Sequence, residues 1–297
     1  NGSTNFSTFQ EYTANVSNPE LKPADAESWT VGIVISPKFI EGLTVSVDYY
    51  HIQTKNDVYR LGVQSVVDDI NALGSGSIYA PSFFFADGSQ ITTTAPNQAN
   101  DAEWGSLNVP LANGAETETD GIDISANYRL ETEKAGIFNF YANANVLFNY
   151  KYQDPVAGGP YQYAGLYSDA NSVGIGGEQG TLPDYQINAG VSWDIQNFTL
   201  NVNARYIPEV GVWYGEYFTL DGSEPTVESW YSIDMQLAYR FNDTKHEWLN
   251  GTRLALGVNN ITDNEPPLIA SAFEDNTDKS TYDIIGRFVY FEISKRF

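Results

Sequence analysis

The stretch YQINAGVSWDIQNFTLNVNARY, residues 185–206, decides the fold. Tyr185, Ile187, Ala189, Val191 and Trp193 alternate with Gln186, Asn188, Gly190, Ser192 and Asp194. After a turn at 195–197, Phe198, Leu200, Val202, Ala204 and Tyr206 alternate with Thr199, Asn201, Asn203 and Arg205. A period of two places successive side chains on opposite sides of a strand, so this is a hairpin with one apolar and one polar face. The apolar face is sorted, with aromatics at its ends and small or aliphatic residues between them. Amphipathic rings at two lipid headgroup levels require that sorting, and a sandwich core does not. A tilted strand crosses hydrocarbon in about 9 to 11 residues, whereas soluble strands cluster at about 5 to 6.

Outward from this hairpin the same pattern returns. Ile122, Ile124, Ala126, Tyr128 and Leu130 oppose Asp123, Ser125, Asn127, Arg129 and Glu131. Phe138, Phe140, Ala142, Ala144, Val146, Phe148 and Tyr150 form a second face, and Tyr231, Ile233, Met235, Leu237, Tyr239 and Phe241 a third. In all, nine strands are predicted, at 27–36, 42–54, 121–131, 137–151, 184–194, 198–207, 229–241, 252–260 and 283–297. Tight turns at 37–42, 132–136, 195–197 and 242–251 interleave with long loops at about 55–120, 152–183, 208–228 and 261–282. Short periplasmic turns alternating with long extracellular loops mark an all-β, antiparallel transmembrane β-barrel. The expected organisation is an extracellular loop over 1–26, followed by barrel strands with long loops over 27–297.

Nine is odd, and bacterial single-chain barrels are even. An open sheet would also leave two edges unpaired in hydrocarbon. With Asn1 in place of an initiator Met and no signal peptide or plug-like stretch, the chain reads as a fragment whose upstream strands close the barrel.

Composition narrows the function. Fifteen Lys plus Arg against 38 Asp plus Glu give a net charge of −23, which disfavours nucleic acid, since phosphate binding needs a basic surface. Acidic loops and lumen suit a partner surface of cations, outer-membrane lipid and lipopolysaccharide. The segment 56–119 carries Asp57, Asp68, Asp69, Asp87, Asp101, Glu103, Glu116 and Glu118 against Arg60, as a charge-solvated loop would. The sequence has no cysteine, which excludes disulfide scaffolds and thiolate zinc sites. No run of 18 apolar residues exists, so no transmembrane helix is predicted. Sequons at Asn5, Asn15, Asn197, Asn242, Asn250 and Asn260 are read as chance in an Asn- and Thr-rich chain, with Asn197 sitting in a hairpin turn.

Three segments resemble a known family. The C-terminal RFVYFEISKRF, 287–297, sets Val289, Phe291, Ile293 and Phe297 on one face and resembles the terminal assembly signal of outer-membrane proteins, with Lys295 departing from the usual apolar residue. NPELKPADAESWTVG, 18–32, with the following GLTVSVDYY, 42–50, is similar to the segment opening a late strand pair in TonB-dependent outer-membrane receptors. NNITDNEPP, 259–267, resembles the penultimate loop of that family. The resemblance implies that this chain supplies the C-terminal nine strands of a 22-stranded barrel. It further implies an N-terminal plug, TonB as the energy-coupling partner through the absent N-terminal part, and location in the outer membrane of a Gram-negative type envelope.

Catalysis is not expected, and neither a cofactor nor a metal is read from the sequence. Of the two histidines, His51 falls at the headgroup level of its strand and His246 in a periplasmic turn, neither beside a nucleophile. Glu274, Asp275, Asn276 and Asp278 offer clustered oxygens that Ca²⁺ would accept, but without EF-hand spacing they read as a solvated loop. Solute binding is better supported. Trp104, Tyr161, Tyr163, Tyr167, Trp213, Tyr214, Tyr217 and Phe218 all fall in long loops, where flat faces stack on sugars or aromatic chelates. Phe83, Phe84 and Phe85 look instead like anchors on which a loop packs. The expected function is TonB-coupled import of a scarce small solute such as a ferric chelate or oligosaccharide. The alternatives are a structural or adhesive surface protein, with a surface lipoprotein as a possible partner, and a soluble all-β lectin-like domain.

Overall fold

The computed structural model describes residues 13–16, 18–60, 63–77, 79–94, 104–154, 158–168, 180–213, 225–242, 244–269, 272 and 275–296. Nine long strands form one continuous antiparallel wall in chain order. They are β1 (Asp25–Ile35), β2 (Leu43–Arg60), β3 (Trp104–Thr132), β4 (Gly136–Asp154), β5 (Tyr185–Ile195), β6 (Phe198–Ile207), β7 (Trp230–Arg240), β8 (Thr252–Asn259) and β9 (Phe288–Lys295). The tight turns fall where the sequence places them. At the β3–β4 turn the chain re-enters the sheet through Gly136 at φ 85, where a Cβ would lie 2.1 Å from the carbonyl oxygen of Asp194. Only glycine fits there.

Cross-strand register carries the apolar face around the wall without a break. Leu43, Tyr128, Phe140, Val191, Val202, Met235 and Val258 are direct cross-strand partners in succession across six strand pairings. Phe140, Phe148, Ile187, Leu237, Leu256, Phe291 and Ile293 stand exposed on that face. A soluble lectin-like core would bury these side chains, so the outward orientation belongs to a barrel facing hydrocarbon. Aromatic pairs mark the short-turn end: Phe138 stacks on Trp193 at 5.8 Å, and Phe198 meets Tyr239 edge-on at 4.7 Å. The opposite face is polar and cross-linked, for instance by Asn145 Nδ2 donating to Asp123 Oδ1 at 2.8 Å and by the Ser46–Ser125 hydroxyl pair at 3.1 Å.

The structure departs from the sequence reading at the long-loop end. β2 runs to Arg60 and β3 begins at Trp104, so the first long connection is shorter than the expected 55–120. The hidden strand residues sit beyond bulges, with Asn56 at φ 54 and Gly114 at φ 134, and each bulge shifts the alternation a period-two reading follows. A further one-residue insertion at Phe148 exchanges the faces of β4, so Tyr150 does not continue the face of Phe138 to Phe148. Tyr150 packs instead against the buried core that contains Tyr152. The last strand starts at Phe288 rather than 283.

Two apolar cores sit at the long-loop end. The first joins Tyr59, Leu107, Val109, Ala115 and Tyr152 of the strand extensions, and Tyr163 of the connection after β4, to Phe83 and to an unanticipated helix, α1 (Val63–Leu73). Val66, Val67 and Ile70 of α1 are buried there on a single helical stripe. The second core gathers Tyr167, Ile207, Val210, Val227, Trp230, Ile269, Ala272 and Tyr282.

Candidate functional site

On its polar face the wall carries an open cavity of about 250 Å³. Its lining follows from strand parity. Tyr141 of β4, Asn188 of β5, Asn203 and Arg205 of β6, and Ser232 and Asp234 of β7 are the inward halves of their alternating runs, and Asp283 of the last connection adds to the lining. The Tyr141 hydroxyl donates to Asn203 Oδ1 at 2.9 Å, and Asp234 Oδ1 accepts the Asn260 amide at 2.8 Å. Among the described residues Arg205 has no ion-pair partner, so its guanidinium is the one cationic group in a lining that holds two carboxylates.

Trp230 also lines this cavity. Its ring is fully buried, meets Tyr282 edge-on at 6.0 Å, and points Nε1 at the Asn264 carbonyl at 3.4 Å. Asn260 is buried too, at φ 48, and holds the 260–264 turn by donating Nδ2 to the Asn264 carbonyl and accepting the Asn264 amide on Oδ1. The NNITDN segment therefore has a local job, which is to turn the chain off β8 beside the cavity.

The last long connection is locked by Asp278. Its Oδ2 accepts the Thr181 amide at 2.9 Å and its Oδ1 the Ser280 amide at 2.9 Å. Burial alone would raise the carboxyl pKa, but the hydrogen bonds from Ser280 and Thr181 outweigh it and hold the group below the ordinary carboxylate value. Burial pushes the neighbouring Tyr282 phenol up to about 12. Asp275 is engaged elsewhere, in an ion pair with Lys279 at 2.7 Å, so the acidic run does not converge; Glu274 lies outside the described residues.

The aromatic candidates divide. Tyr161, Tyr163 and Trp213 do come together, with ring centroids 5.9 Å and 5.6 Å from Trp213. Tyr163 is buried in the first core, Tyr167 in the second, and Tyr161 and Trp213 remain half-buried. Trp104 opens β3 opposite Phe85, while Tyr214, Tyr217 and Phe218 lie outside the described residues. Phe83 packs at the centre of the first core as an anchor, with Phe85 against it edge-on at 5.3 Å. Val289, Phe291 and Ile293 form the outward row of β9 opposite Val258, Leu256 and Leu254; Phe297 lies outside the described residues. Lys295 Nζ hydrogen-bonds the Trp248 carbonyl, and His246 sits in the β7–β8 turn against the Trp248 ring. The cavity residues were legible only as the polar halves of separate strands; nothing in their spacing singled out Arg205 or Asp234.

No curated protein matches the chain. Among solved structures it is similar to the ferric enterobactin receptor of Pseudomonas aeruginosa in complex with enterobactin, at 13% identity and TM-score 0.55 over 95% of this chain and 32% of that one. It is similar also to the siderophore receptor PirA of Acinetobacter baumannii, at 15% identity and TM-score 0.53 over 93% and 32%, and to the FrpB iron transporter of Neisseria meningitidis, at 12% identity and TM-score 0.52 over 94% and 32%. The chain thus spans about a third of the length of these receptors, and at such identities the likeness is one of fold. The family described as TonB dependent receptor-like, beta-barrel, matches residues 1–261. Its members are outer-membrane receptors and not enzymes, and this chain belongs to the TonB-dependent receptor β-barrel family.

Proposed function

We propose that this chain forms the C-terminal wall of an outer-membrane receptor that imports a small solute with TonB-coupled energy. The observation that carries the reading is the polar cavity at the mouth of an otherwise hydrocarbon-facing wall, with Tyr141, Asn203, Arg205 and Asp234 converging beside Trp230. An anchor for surface loops needs no such recess. The long-loop end is assigned to the cell exterior and the tight turns to the periplasm of a Gram-negative type envelope. Capture is assigned to that end, with Tyr161 and Trp213 as the accessible stacking faces and Arg205 with the neighbouring amides as the polar contacts. Plug and TonB are the expected partners of the whole protein.

The net charge of −23 works against an anionic ferric chelate, because like charge slows encounter and costs binding. Neutral oligosaccharides and weakly charged chelates fit the mouth better. The test is calorimetric titration of the detergent-purified protein with a panel of ferric chelates and oligosaccharides. A saturating ligand whose affinity falls at least tenfold in both Arg205→Ala and Trp213→Ala supports the reading. Binding indifferent to both substitutions overturns the assigned mouth.

A further inference from the structure

Where β2 and β3 leave the apolar band, on their outward side, three ligand-bearing side chains meet. His51 stands opposite Asp120 and Gln53 opposite Glu118, so the alternation of β3 sets both carboxylates on the face that carries the imidazole. The donor atoms of His51, Glu118 and Asp120 all lie within 4.8 Å of one another. This face is the outer one. His51 continues the row of Val45, Val47 and Tyr49, and its ring lies 5.7 Å from Trp29. The cluster is therefore remote from the solute cavity on the inward side.

The geometry points to a divalent transition-metal site of the zinc class at His51, Glu118 and Asp120, pinning β2 to β3 at the upper rim of the membrane band. A cation about 2.0 to 2.2 Å from an imidazole nitrogen and two carboxylate oxygens would hold those atoms roughly 3.5 Å apart, so the three ligands need close in only a little from the 4.8 Å within which they already lie. No described residue hydrogen-bonds the His51 nitrogens, which leaves a lone pair for a metal. Asp120 is already oriented from behind, by Asn149 Nδ2 donating to Oδ1 at 2.8 Å and the Tyr49 hydroxyl reaching Oδ2 at 3.4 Å. Such outer donors fix a ligating carboxylate in place. The insertion at Phe148 is what brings Asn149 to that side of β4, opposite Asp120.

The neighbouring charge is unbalanced without a cation. Two carboxylates stand two positions apart on one strand, and among the described residues only Glu118 has an ion-pair partner, Lys151, whose Nζ lies 3.5 Å away. Lys151 is thus the built-in rival of a metal. One imidazole with two carboxylates suits Zn²⁺ and its first-row neighbours, whereas Ca²⁺ and Mg²⁺ take oxygen ligands alone.

The test is titration of the detergent-purified protein with Zn²⁺, and in parallel with Ca²⁺, by calorimetry, with heat-modifiable gel mobility showing that each variant is a folded barrel. One Zn²⁺ per chain is expected, at least tenfold tighter than Ca²⁺. His51→Ala and Asp120→Asn should each weaken it at least tenfold, and Lys151→Met, which removes no ligand, should tighten it severalfold. Zn²⁺ binding that His51→Ala leaves unchanged, Ca²⁺ binding as tightly as Zn²⁺, or a weaker site in Lys151→Met would overturn the assignment.

Discussion

The ring of Tyr290 on β9 covers Gly257, its cross-strand partner on β8, so closely that a Cβ at 257 would fall 2.2 Å from Tyr290 Cζ. The same relation recurs across β4 and β5, where a Cβ at Gly190 would lie 2.6 Å from the ring of its partner Tyr141. An aromatic laid over a glycine compensates for the missing side chain and shields the strand backbone. The Tyr290 hydroxyl accepts Gln236 Nε2 at 3.0 Å, Gln236 Oε1 accepts Arg253 Nη2 at 2.7 Å, and Arg253 pairs with Glu292 at 3.1 Å. Gly257 thus gives the ring its place in a polar chain that spans β7, β8 and β9.

Gly257→Ala is therefore expected to destabilise the barrel by about 1 to 3 kcal/mol, since the added methyl displaces a ring that is held at its far end. Denaturant titration of the protein folded into lipid vesicles measures it. A variant as stable as the parent would show that Tyr290 moves aside freely.

The two faces of β5 make a paired prediction. Val191 lies between Phe140 and Val202 on the outward side, and Asn188 lines the inward cavity. Val191→Arg should cost about 2 to 4 kcal/mol, as a charge near the middle of the lipid face does, and Asn188→Arg should cost little stability. Equal losses in the same vesicle assay would reverse the assigned faces.

Phe83 tests whether the long-loop cap folds as a unit on the wall. It is fully buried among α1 and the extensions of β2 to β4. Phe83→Ala should cost that core about 3 to 5 kcal/mol. Hydrogen exchange should then quicken in 63–73 and 104–112 while the strands within the membrane band keep their protection. Slowed or unchanged exchange in α1 would mean that the helix is held by something other than this core.

Much of the wall was legible because lipid imposes its pattern residue by residue. Val191 must face out, so Ser192 must face in, and the register of each hairpin follows from its turn. The nine strands and the turns between them follow from this rule alone. It fails where lipid no longer dictates parity. Beyond Phe148 and Asn56 the extra residues shift the alternation, and the faces there are set by packing against Phe83 and Ile70 instead. The helix α1 was hidden for the same reason, since a short amphipathic helix within an acidic segment reads as loop. The site was less legible still. Arg205 and Asp234 meet at one cavity only through the order of strands, and His51 and Asp120 lie 69 positions apart in the chain although they are direct cross-strand partners. Spacing along one strand carries no trace of either.

The tie between Asp278 and Thr181 should make the last long connection sensitive to acid. Asp278 titrates below the ordinary 3.8 when folded, because the hydrogen bonds it accepts outweigh its burial. A depressed carboxyl pKa gives stability that is complete above the unfolded value and is lost as pH falls through the folded one. Protection against hydrogen exchange in 180–182 and 275–283, measured against the intrinsic rate at each pH, should therefore fall below about pH 4 in the parent. Asp278→Asn should show weaker protection at neutral pH and no acid step of its own, which separates this group from the other carboxylates of the chain. Tyr282 gives the opposite limb. Its phenol is raised from 10.0 to about 12 by burial, so the unfolded segment ionises first and stability present below pH 10 drains away as pH climbs toward 12. Tyr282→Phe keeps the ring against Trp230 and removes the ionisable group, so it should lack the alkaline loss. An alkaline loss that persists in Tyr282→Phe would place its origin outside this contact.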